Sequence, residues 1–215
     1  MNDRYATIRD QVLDTALRLC QDGLIRLSAG NISARMDDGL IALTPAGLLY
    51  SKMRPDDIAI VDSDGQLLDG GRPPSSESPM HRAVYRKLPA VGAVVHTHSI
   101  YAIALSVVGL DIPVVCLEVL LVGGPVPVAA YACPGTMQAG DVVSDLLADR
   151  SGLRAVLLRN HGLVAVGADL EEAYQSAVNC ETAAQVYHLA LQTGRSPVAL
   201  SDEQIAEIWR VYKKA

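Results

Sequence analysis

The stretch Val94-Val95-His96-Thr97-His98 decides how the rest of this 215-residue chain is interpreted. An apolar run that ends in two histidines predicts a buried strand leading into a polar site. Successive side chains of a strand point to opposite faces, so His96 and His98 share a face and both imidazoles can reach one ion. The pair is therefore half of a candidate metal site.

This spacing is a weak signal on its own, because solvated strand-end or core histidines also produce it. Zinc takes neutral imidazole nitrogens, and a catalytic zinc usually keeps three protein ligands and one open position. The other histidines are His81, His161 and His188, so a third imidazole ligand has to come from these three.

The length and composition predict one globular domain, residues 1–215. Half of the residues are hydrophobic, which is enough to bury a sizeable core. The 18 basic and 24 acidic residues give a net charge of −6, and no lysine or arginine cluster could neutralise a nucleic-acid backbone. We expect no nucleic-acid partner.

Cysteine spacing and apolar segments indicate the compartment. The four cysteines have no C-x-x-C spacing, and the N-terminus has no basic segment followed by an apolar one, which predicts reduced thiols in a cytoplasmic protein. The most hydrophobic region, Ile112 to Ala130, is interrupted by Glu118, glycines and prolines. We expect buried sheet or subunit contact there, and no membrane span.

The remaining patterns predict an antiparallel sheet early in the chain, followed by alternating helices and strands. Helices are predicted over Arg4–Gln21, from Glu77 to about Lys87, over Ile100–Val108, Thr136–Ala148 and Leu170–Thr193, and from Ser201 to the end. Strands are predicted over Ile32–Arg35, Leu40–Thr44, Ile58–Val61, Gln66–Leu68, Ala155–Leu158 and Leu163–Val166, with Ile112–Val122 as a strand-rich segment.

A turn and a helix start supply the other candidate site residues. His161 falls in a tight turn, Arg159 to Gly162, between two predicted strands. Ser75 or Ser76 is available as a helix N-cap with Glu77 in the first turn, which is also the purely structural interpretation of these residues. Glu77, the pair His96 and His98, and His161 together look like one site.

Three small-residue segments predict a phosphate site beside it. The turns at Gly30-Asn31 and Ala46-Gly47 offer backbone N–H groups without bulky side chains, and Ser75-Ser76 add hydroxyls and amides at a helix N-terminus. Such groups bind a phosphate dianion without lysine or arginine.

Five motifs in this order and spacing resemble the class II aldolase/adducin family, most closely its fuculose-phosphate aldolase branch. The resemblance covers nearly the whole chain. The motifs are Gly30-Asn31, Thr44-Pro45-Ala46-Gly47, Pro74-Ser75-Ser76-Glu77, His96-Thr97-His98 and Asn160-His161-Gly162.

The resemblance implies a fold, an assembly and a role for each site residue. The fold would be a three-layer α/β/α sandwich with a central, mainly antiparallel mixed sheet, in a homotetramer with sites between subunits. His96, His98 and His161 would bind Zn²⁺ (or Mn²⁺ or Co²⁺), with Glu77 as fourth ligand and then general acid/base. The substrate phosphate would be held by Gly30, Asn31, Ala46, Gly47, Ser75 and Ser76.

The implied reaction is cleavage of a short ketose 1-phosphate, such as L-fuculose 1-phosphate, into dihydroxyacetone phosphate and an aldehyde. Bound metal stabilises the enediolate left when the carbon–carbon bond breaks, and a carboxylate close by moves protons. Glu77 after the serine pair favours the aldolases, because related 4-epimerases have aspartate there and related decarboxylases have lysine in place of the second serine.

Two departures from the branch keep alternatives open. The tyrosines that protonate the aldehyde oxygen in that branch are missing: Leu117 stands at the first position, and the chain ends near the second, where Tyr212 is only a weak candidate for a substitute. Ala46 replaces a phosphate-loop threonine. A decarboxylase acting on a 3-oxo sugar-acid phosphate, which needs no such tyrosine, is therefore the alternative. A non-catalytic, adducin-like assembly domain is a third hypothesis, weakened by the presence of every ligand residue.

Overall fold

A computed structural model describes residues 4–212 of the chain. Within that range the helices are α1 (Ala6–Gln21), α2 (Ser78–Lys87), α3 (Ile100–Val108), α4 (Leu117–Leu121), α5 (Met137–Asp149), α6 (Leu170–Gln192) and α7 (Asp202–Tyr212). The strands are β1 (Asn31–Arg35), β2 (Ile41–Leu43), β3 (Ala59–Val61), β4 (Leu67–Asp69), β5 (Ala93–Thr97), β6 (Val128–Ala129), β7 (Ala155–Leu158) and β8 (Gly162–Gly167).

All eight strands form one sheet in the order β4-β3-β2-β1-β5-β8-β7-β6. Every neighbouring pair is antiparallel except β6 and β7, which are parallel. The sheet is therefore mixed and mainly antiparallel, as the sequence predicts. The H-x-H strand β5 lies at its centre, between β1 and β8.

Helices cover both faces of this sheet, and alternation along each strand separates two cores. On β5, Val95 packs into the core shared with α1, α3, α4 and α6, whereas Val94 packs into the core shared with α2 and α5. Since the side chains alternate, His96 shares the face of Val94, toward α2. The predicted three-layer α/β/α sandwich is confirmed.

Most predicted elements lie where the sequence places them, because their apolar spacing matches one buried face. In α1 the residues Val12, Ala16 and Leu19 are fully buried at helical spacing. Asp169 caps α6 by accepting a hydrogen bond from the amide of Glu172 at 2.8 Å. No helix among residues 4–212 is both long enough and apolar enough to cross a membrane.

Two local predictions are wrong. The segment Ile112–Val122 is not strand-rich, because Leu117–Leu121 forms α4 and only Ile112 makes a bridge, with Val126. A short apolar run without a clear period is compatible with either a buried strand or a buried helix, so the composition of this segment does not distinguish the two. The N-cap of α2 is neither Ser75 nor Ser76: Glu77 occupies it, and its side chain makes no capping bond. That carboxylate is engaged elsewhere.

Candidate metal and substrate site

Three imidazoles and one carboxylate converge at the end of the sheet. Glu77, His96, His98 and His161 each offer a ligand atom, and these atoms all lie within 4.8 Å of one another. The ring centroids of the three histidines are 4.7–5.0 Å apart. The structure therefore brings together all four residues that the sequence predicts as metal ligands.

The sheet register and one strained turn produce this convergence. His96 is paired across strands with Asn31 on β1 and with Val164 on β8, and His98 follows the last residue of β5. His161 lies in the β7–β8 turn, where Asn160 adopts a φ of +58°. Asparagine tolerates this left-handed conformation better than most residues. The turn therefore presents His161 beside the end of β5.

Two glycines, Gly30 and Gly162, allow the neighbouring backbone segments to approach the end of β5 closely. A Cβ atom on Gly162 would lie 2.3 Å from the carbonyl oxygen of Thr97 and 3.1 Å from Cε1 of His96. One on Gly30, where φ is +81°, would lie 2.6 Å from the carbonyl oxygen of His96. Any side chain at either position would displace the histidine strand.

The tautomer of His96 is fixed by its backbone neighbour. Its Nδ1 donates to the carbonyl oxygen of Leu163 at 2.9 Å, so the neutral ring carries its lone pair on Nε2. That Nε2 is buried and has no hydrogen-bond partner among the described residues. In metal sites, a histidine is commonly oriented in this way: the ring nitrogen that does not bind the metal donates its hydrogen to a protein oxygen.

The Glu77 carboxylate faces two of the rings. Its Oε2 lies 3.1 Å from Nε2 of His96, and its Oε1 lies 3.3 Å from Nε2 of His161. Asn31 donates from Nδ2 to Oε2 at 2.8 Å. Burial alone would raise the pKa of Glu77, but the polar groups around the carboxylate, with Asn31 donating to it, hold this pKa below its usual range. Glu77 is therefore ionised at neutral pH.

The other two imidazoles are held in their neutral, ligand-competent form. Burial, reinforced by His96, lowers the pKa of His161 to about 4 and also lowers the pKa of His98. Neutral imidazole nitrogens with one carboxylate form a donor set that suits zinc and similar divalent ions. With the unpartnered Nε2 of His96 pointing into the cluster, these residues fit a divalent metal.

A cavity of about 290 Å³ opens over the cluster, and all six predicted phosphate-binding residues line it. His98, His161 and Glu77 contribute to its wall, whereas the fully buried His96 lies behind it. Five lining residues are not among the predicted metal- or phosphate-binding residues: Ser28, Ala29, Pro45, Pro134 and Gly135. The first three adjoin the predicted turns. Pro134 and Gly135 come from a distant loop, and no local pattern identifies them.

The loops at residues 44–47 and 73–76, which both line the cavity, are paired with each other by backbone hydrogen bonds. The Ala46 amide donates to Pro73 at 3.1 Å, and the Ser75 amide donates to Thr44 at 3.0 Å. Among residues 4–212 the Gly47 and Ser76 amides make no such bond. These two amides, with the hydroxyls of Ser75 and Ser76, are available to donate to an anion.

Neither position at which the resemblance implies an aldehyde-protonating residue lies in this cavity. Leu117 begins α4, and Tyr212 ends α7, where it is half exposed and packs against Trp209. Neither lines the cavity. The described residues of one chain therefore supply no tyrosine to the cavity in place of those that the sequence lacks.

A mixed sheet between two helical layers, with a His₃–Glu cluster at a strand end, defines an α/β protein with a candidate divalent-metal centre. The chain belongs to the class II aldolase and adducin family, since the model of the Class II Aldolase and Adducin N-terminal domain matches residues 10–188. The predicted resemblance is thereby confirmed.

Named relatives include aldolases over nearly the full length. The chain is 36% identical to the 5-deoxy-D-ribulose 1-phosphate aldolase of Bacillus thuringiensis over 91% of each chain. It is 36% identical to the L-fuculose phosphate aldolase of Escherichia coli K12, over 94% of this chain and 93% of that one. A solved L-fuculose 1-phosphate aldolase superposes with a TM-score of 0.89 at 30% identity, covering 97% of both chains.

The same similarity extends to an epimerase. An L-ribulose-5-phosphate 4-epimerase of Salmonella paratyphi C is 32% identical over 85% of each chain. Membership therefore supports an aldolase-type enzyme of carbohydrate-phosphate metabolism, in a family that also includes epimerases.

Proposed function

We propose that this protein is a divalent-metal-dependent aldolase that cleaves a short ketose 1-phosphate, of the L-fuculose 1-phosphate type, into dihydroxyacetone phosphate and an aldehyde. The observation that carries the proposal is the convergence of Glu77, His96, His98 and His161 at a cavity that is also lined by the Gly30-Asn31, Ala46-Gly47 and Ser75-Ser76 segments. Zinc is the metal we propose, with manganese or cobalt as substitutes.

His96, His98 and His161 would hold the ion, with Glu77 as a fourth ligand in the absence of substrate. When bound, the ion would stabilise the negative charge that develops on substrate oxygens as the carbon–carbon bond breaks. The protein's own contribution begins with orientation. The Leu163 carbonyl fixes the ring of His96, and the Gly162 and Gly30 approaches fix the strand that bears it.

Glu77 is the proposed general acid/base. It is ionised and lies at the cavity wall, so it can take up and return a proton at the substrate carbon next to the carbonyl. The chain offers no lysine among the residues lining the cavity, so a Schiff base with the substrate carbonyl is not supported there.

The phosphate would bind at the end of the cavity formed by Gly30, Asn31, Ala46, Gly47, Ser75 and Ser76. The Gly47 and Ser76 amides are its strongest candidate donors, because the Ala46 and Ser75 amides already donate to protein carbonyls. Asn31 donates one Nδ2 hydrogen to Glu77 and keeps the other for a ligand. Anchoring one end of the substrate in this way holds the scissile bond at Glu77.

One observation favours a second candidate, a metal-dependent decarboxylase of a 3-oxo sugar-acid phosphate. No tyrosine lines the cavity in the described chain, and release of carbon dioxide requires no proton donor for an aldehyde oxygen. Glu77 after two serines, and aldolases among the relatives at 36% identity, favour the aldolase.

A substrate panel separates these reactions. Purified protein should be given ketose 1-phosphates of four to six carbons, each with zinc, manganese or cobalt, and coupled detection of dihydroxyacetone phosphate. A 3-oxo sugar-acid phosphate in the same assay tests for carbon dioxide. We expect release of dihydroxyacetone phosphate that stops on addition of a chelator and returns with metal. Release of carbon dioxide alone, or activity unaffected by chelator, would overturn the aldolase proposal.

The assembly, the compartment and the extent of the domain are further proposals. We propose one domain over 1–215, a homotetramer with active sites between subunits, and a location in the cytoplasm. Exposed apolar side chains on α3 and α6, among them Ile100, Val107 and Leu189, support subunit contact. Sedimentation analysis of the purified protein tests the assembly directly.

A further inference from the structure

A line of buried hydrogen bonds runs from Tyr85 to the carboxylate of Glu77. The hydroxyls of Tyr85 and Ser33 are 2.8 Å apart, and Ser33 Oγ lies 2.7 Å from Nδ1 of His81. His81 Nε2 lies 2.5 Å from Oδ1 of Asn31, which donates from Nδ2 to Glu77 at 2.8 Å. All five residues are at least nine-tenths buried.

Two regular spacings put these residues in line. Asn31 and Ser33 are two apart on β1, so both point to the face covered by α2. Glu77, His81 and Tyr85 are spaced by four from the N-cap of α2 onward, so they follow one side of that helix. The helix and the strand therefore present matching rows of polar groups to each other.

The carboxylate sets the direction of every bond in the line. An ionised carboxylate only accepts, so the Asn31 atom that faces Glu77 must be its NH₂ group and the oxygen must face His81. His81 then carries its proton on Nε2 and accepts at Nδ1. Ser33 must donate to that Nδ1, which leaves Tyr85 to donate to Ser33.

A wrong tautomer of His81 would reverse this order. With its proton on Nδ1, the ring would present a lone pair to Oδ1 of Asn31, and the amide would be driven to turn. The Asn31 oxygen would then face Oε2 of Glu77, and two acceptors would repel each other inside the protein. The position of the Glu77 carboxylate thus depends on which ring nitrogen of His81 carries the proton, although His81 contacts Glu77 only through Asn31.

We propose that His81 is a positioning residue for Glu77, acting through Asn31, with Ser33 and Tyr85 selecting its tautomer. The proposal rests on the proposed function, in which Glu77 moves a proton at the substrate. It assigns a task to a buried histidine that binds neither the ion nor the substrate.

Two substitutions at position 81 test the proposal. His81→Leu fills much of the same space but offers no donor to Asn31, whereas His81→Gln retains an N–H donor. For His81→Leu we expect kcat to fall about 10- to 100-fold, the range for loss of a residue that orients a metal ligand. We expect KM to change less than about threefold, since the phosphate loops are untouched. His81→Gln should recover much of the lost kcat.

Two readouts do not depend on catalysis. Co²⁺ titration of the full-length protein should show about tenfold weaker binding for His81→Leu than for the parent protein, with His81→Gln in between. Nitrogen-15 NMR of histidine-labelled protein should show His81 protonated on Nε2 and unprotonated on Nδ1. The His81→Gln spectrum assigns that ring by difference.

His188→Leu is the matched control, since His188 lies on α6, away from the cavity, where it contacts Gln192 and the ring of Tyr101. It should leave kcat and Co²⁺ affinity unchanged, since His188 belongs neither to the His₃–Glu cluster nor to the line of hydrogen bonds that leads to Glu77.

The outcomes separate this proposal from the proposed function. If the parent protein cleaves no ketose phosphate, the function fails, and the NMR tautomer together with Co²⁺ affinity still decides the role of His81. A purely structural His81 would lower the melting temperature of the Leu variant while kcat per folded molecule and Co²⁺ affinity stayed unchanged. That result, or a His81 ring protonated on Nδ1, would overturn the proposal; if His81→Leu does not fold, the tautomer and His81→Gln decide it.

Discussion

The Nε2 atom of His96 lies 3.1 Å from Oε2 of Glu77, yet no hydrogen bond satisfies that nitrogen among the described residues. Its ring proton is donated from Nδ1 to Leu163, so a lone pair on nitrogen faces a carboxylate oxygen in a buried place. Two acceptors in contact repel strongly where water is excluded. A positive ion beside both atoms removes this repulsion. We therefore expect a cation to bind between the nitrogen and the carboxylate.

We expect the full chain to bind one divalent ion per polypeptide, and His161→Gln to weaken Zn²⁺ or Co²⁺ binding by at least about 100-fold, since losing an orienting partner alone costs 10- to 100-fold. Isothermal titration after chelator treatment measures the affinity. His188→Gln is the control, as that histidine lies outside the cluster. Failure of the parent protein to bind metal would instead favour the non-catalytic, adducin-like hypothesis.

The Glu77→Gln variant should keep its fold and lose activity. Glutamine has the same length but cannot accept and return a proton, so we expect the rate of dihydroxyacetone phosphate release to fall about 10²- to 10⁴-fold, the usual contribution of general acid–base catalysis. Melting temperature and Co²⁺ content, measured on the same sample, separate a catalytic loss from a loss of structure or metal. Near-normal release would contradict the role assigned to Glu77.

Gly162→Ala should damage the site by a steric effect. The added Cβ would lie 2.3 Å from the Thr97 carbonyl oxygen, so β5 and β8 would have to separate beside His96. Such overpacking costs about 1–3 kcal/mol, which corresponds to a drop in melting temperature of about 2–12 °C for a chain of this size. Gly71→Ala is the matched control, because its nearest neighbour would be 3.5 Å away. Thermal unfolding with chelator present measures both, and equal melting temperatures would contradict the prediction.

Acid should destabilise the protein partly through His81. Burial, with a smaller contribution from His96, lowers the pKa of His81 from 6.5 to about 3, so the unfolded chain binds a proton there that the folded chain refuses. Stability from this residue is therefore full above pH 6.5 and is lost as the pH falls toward 3. Between pH 7 and pH 5 we expect a loss of roughly 2 kcal/mol in the free energy of unfolding.

Denaturant unfolding of the parent protein and His81→Gln at both pH values, with chelator present, isolates this contribution. The variant lacks the titrating ring. Between pH 7 and pH 5 its free energy of unfolding should therefore fall by roughly 2 kcal/mol less than that of the parent protein. Parallel pH dependence in the two proteins would show that His81 does not refuse the proton.

A negative charge at Ser76 should weaken substrate binding. Ser76 offers an uncommitted amide and a hydroxyl at the phosphate end of the cavity, so Ser76→Asp should raise KM for a ketose 1-phosphate at least about tenfold, roughly the cost of losing one hydrogen bond to a charged group. Initial rates against substrate concentration measure KM. Ser63→Asp, in the distant β3–β4 turn, is the control and should leave KM unchanged. Equal KM values for the two variants would place the phosphate elsewhere.

The amino-acid sequence by itself determined the elements and the residue types of the site. An apolar run that ends in two histidines predicted β5, helical spacing predicted α1 and α6, and five short motifs in order predicted both the family and the four residues that meet at the cluster. These features are local, because periodicity and turn chemistry act over a few residues. Even so, an apolar run without periodicity hid α4 within Ile112–Val122.

Only the tertiary structure decided which polar groups of the site are free to bind a metal ion or an anion. It showed that Glu77 lies at the N-cap of α2 but makes no capping bond, and that its carboxylate faces His96 and His161. It also showed that Pro134 and Gly135, from a loop distant in the sequence, line the cavity. It also joined the row Asn31–Ser33 to the row His81–Tyr85. Each row is readable as a spacing in the sequence, but a hydrogen bond depends on distances between strands and helices, which spacing along one chain does not define.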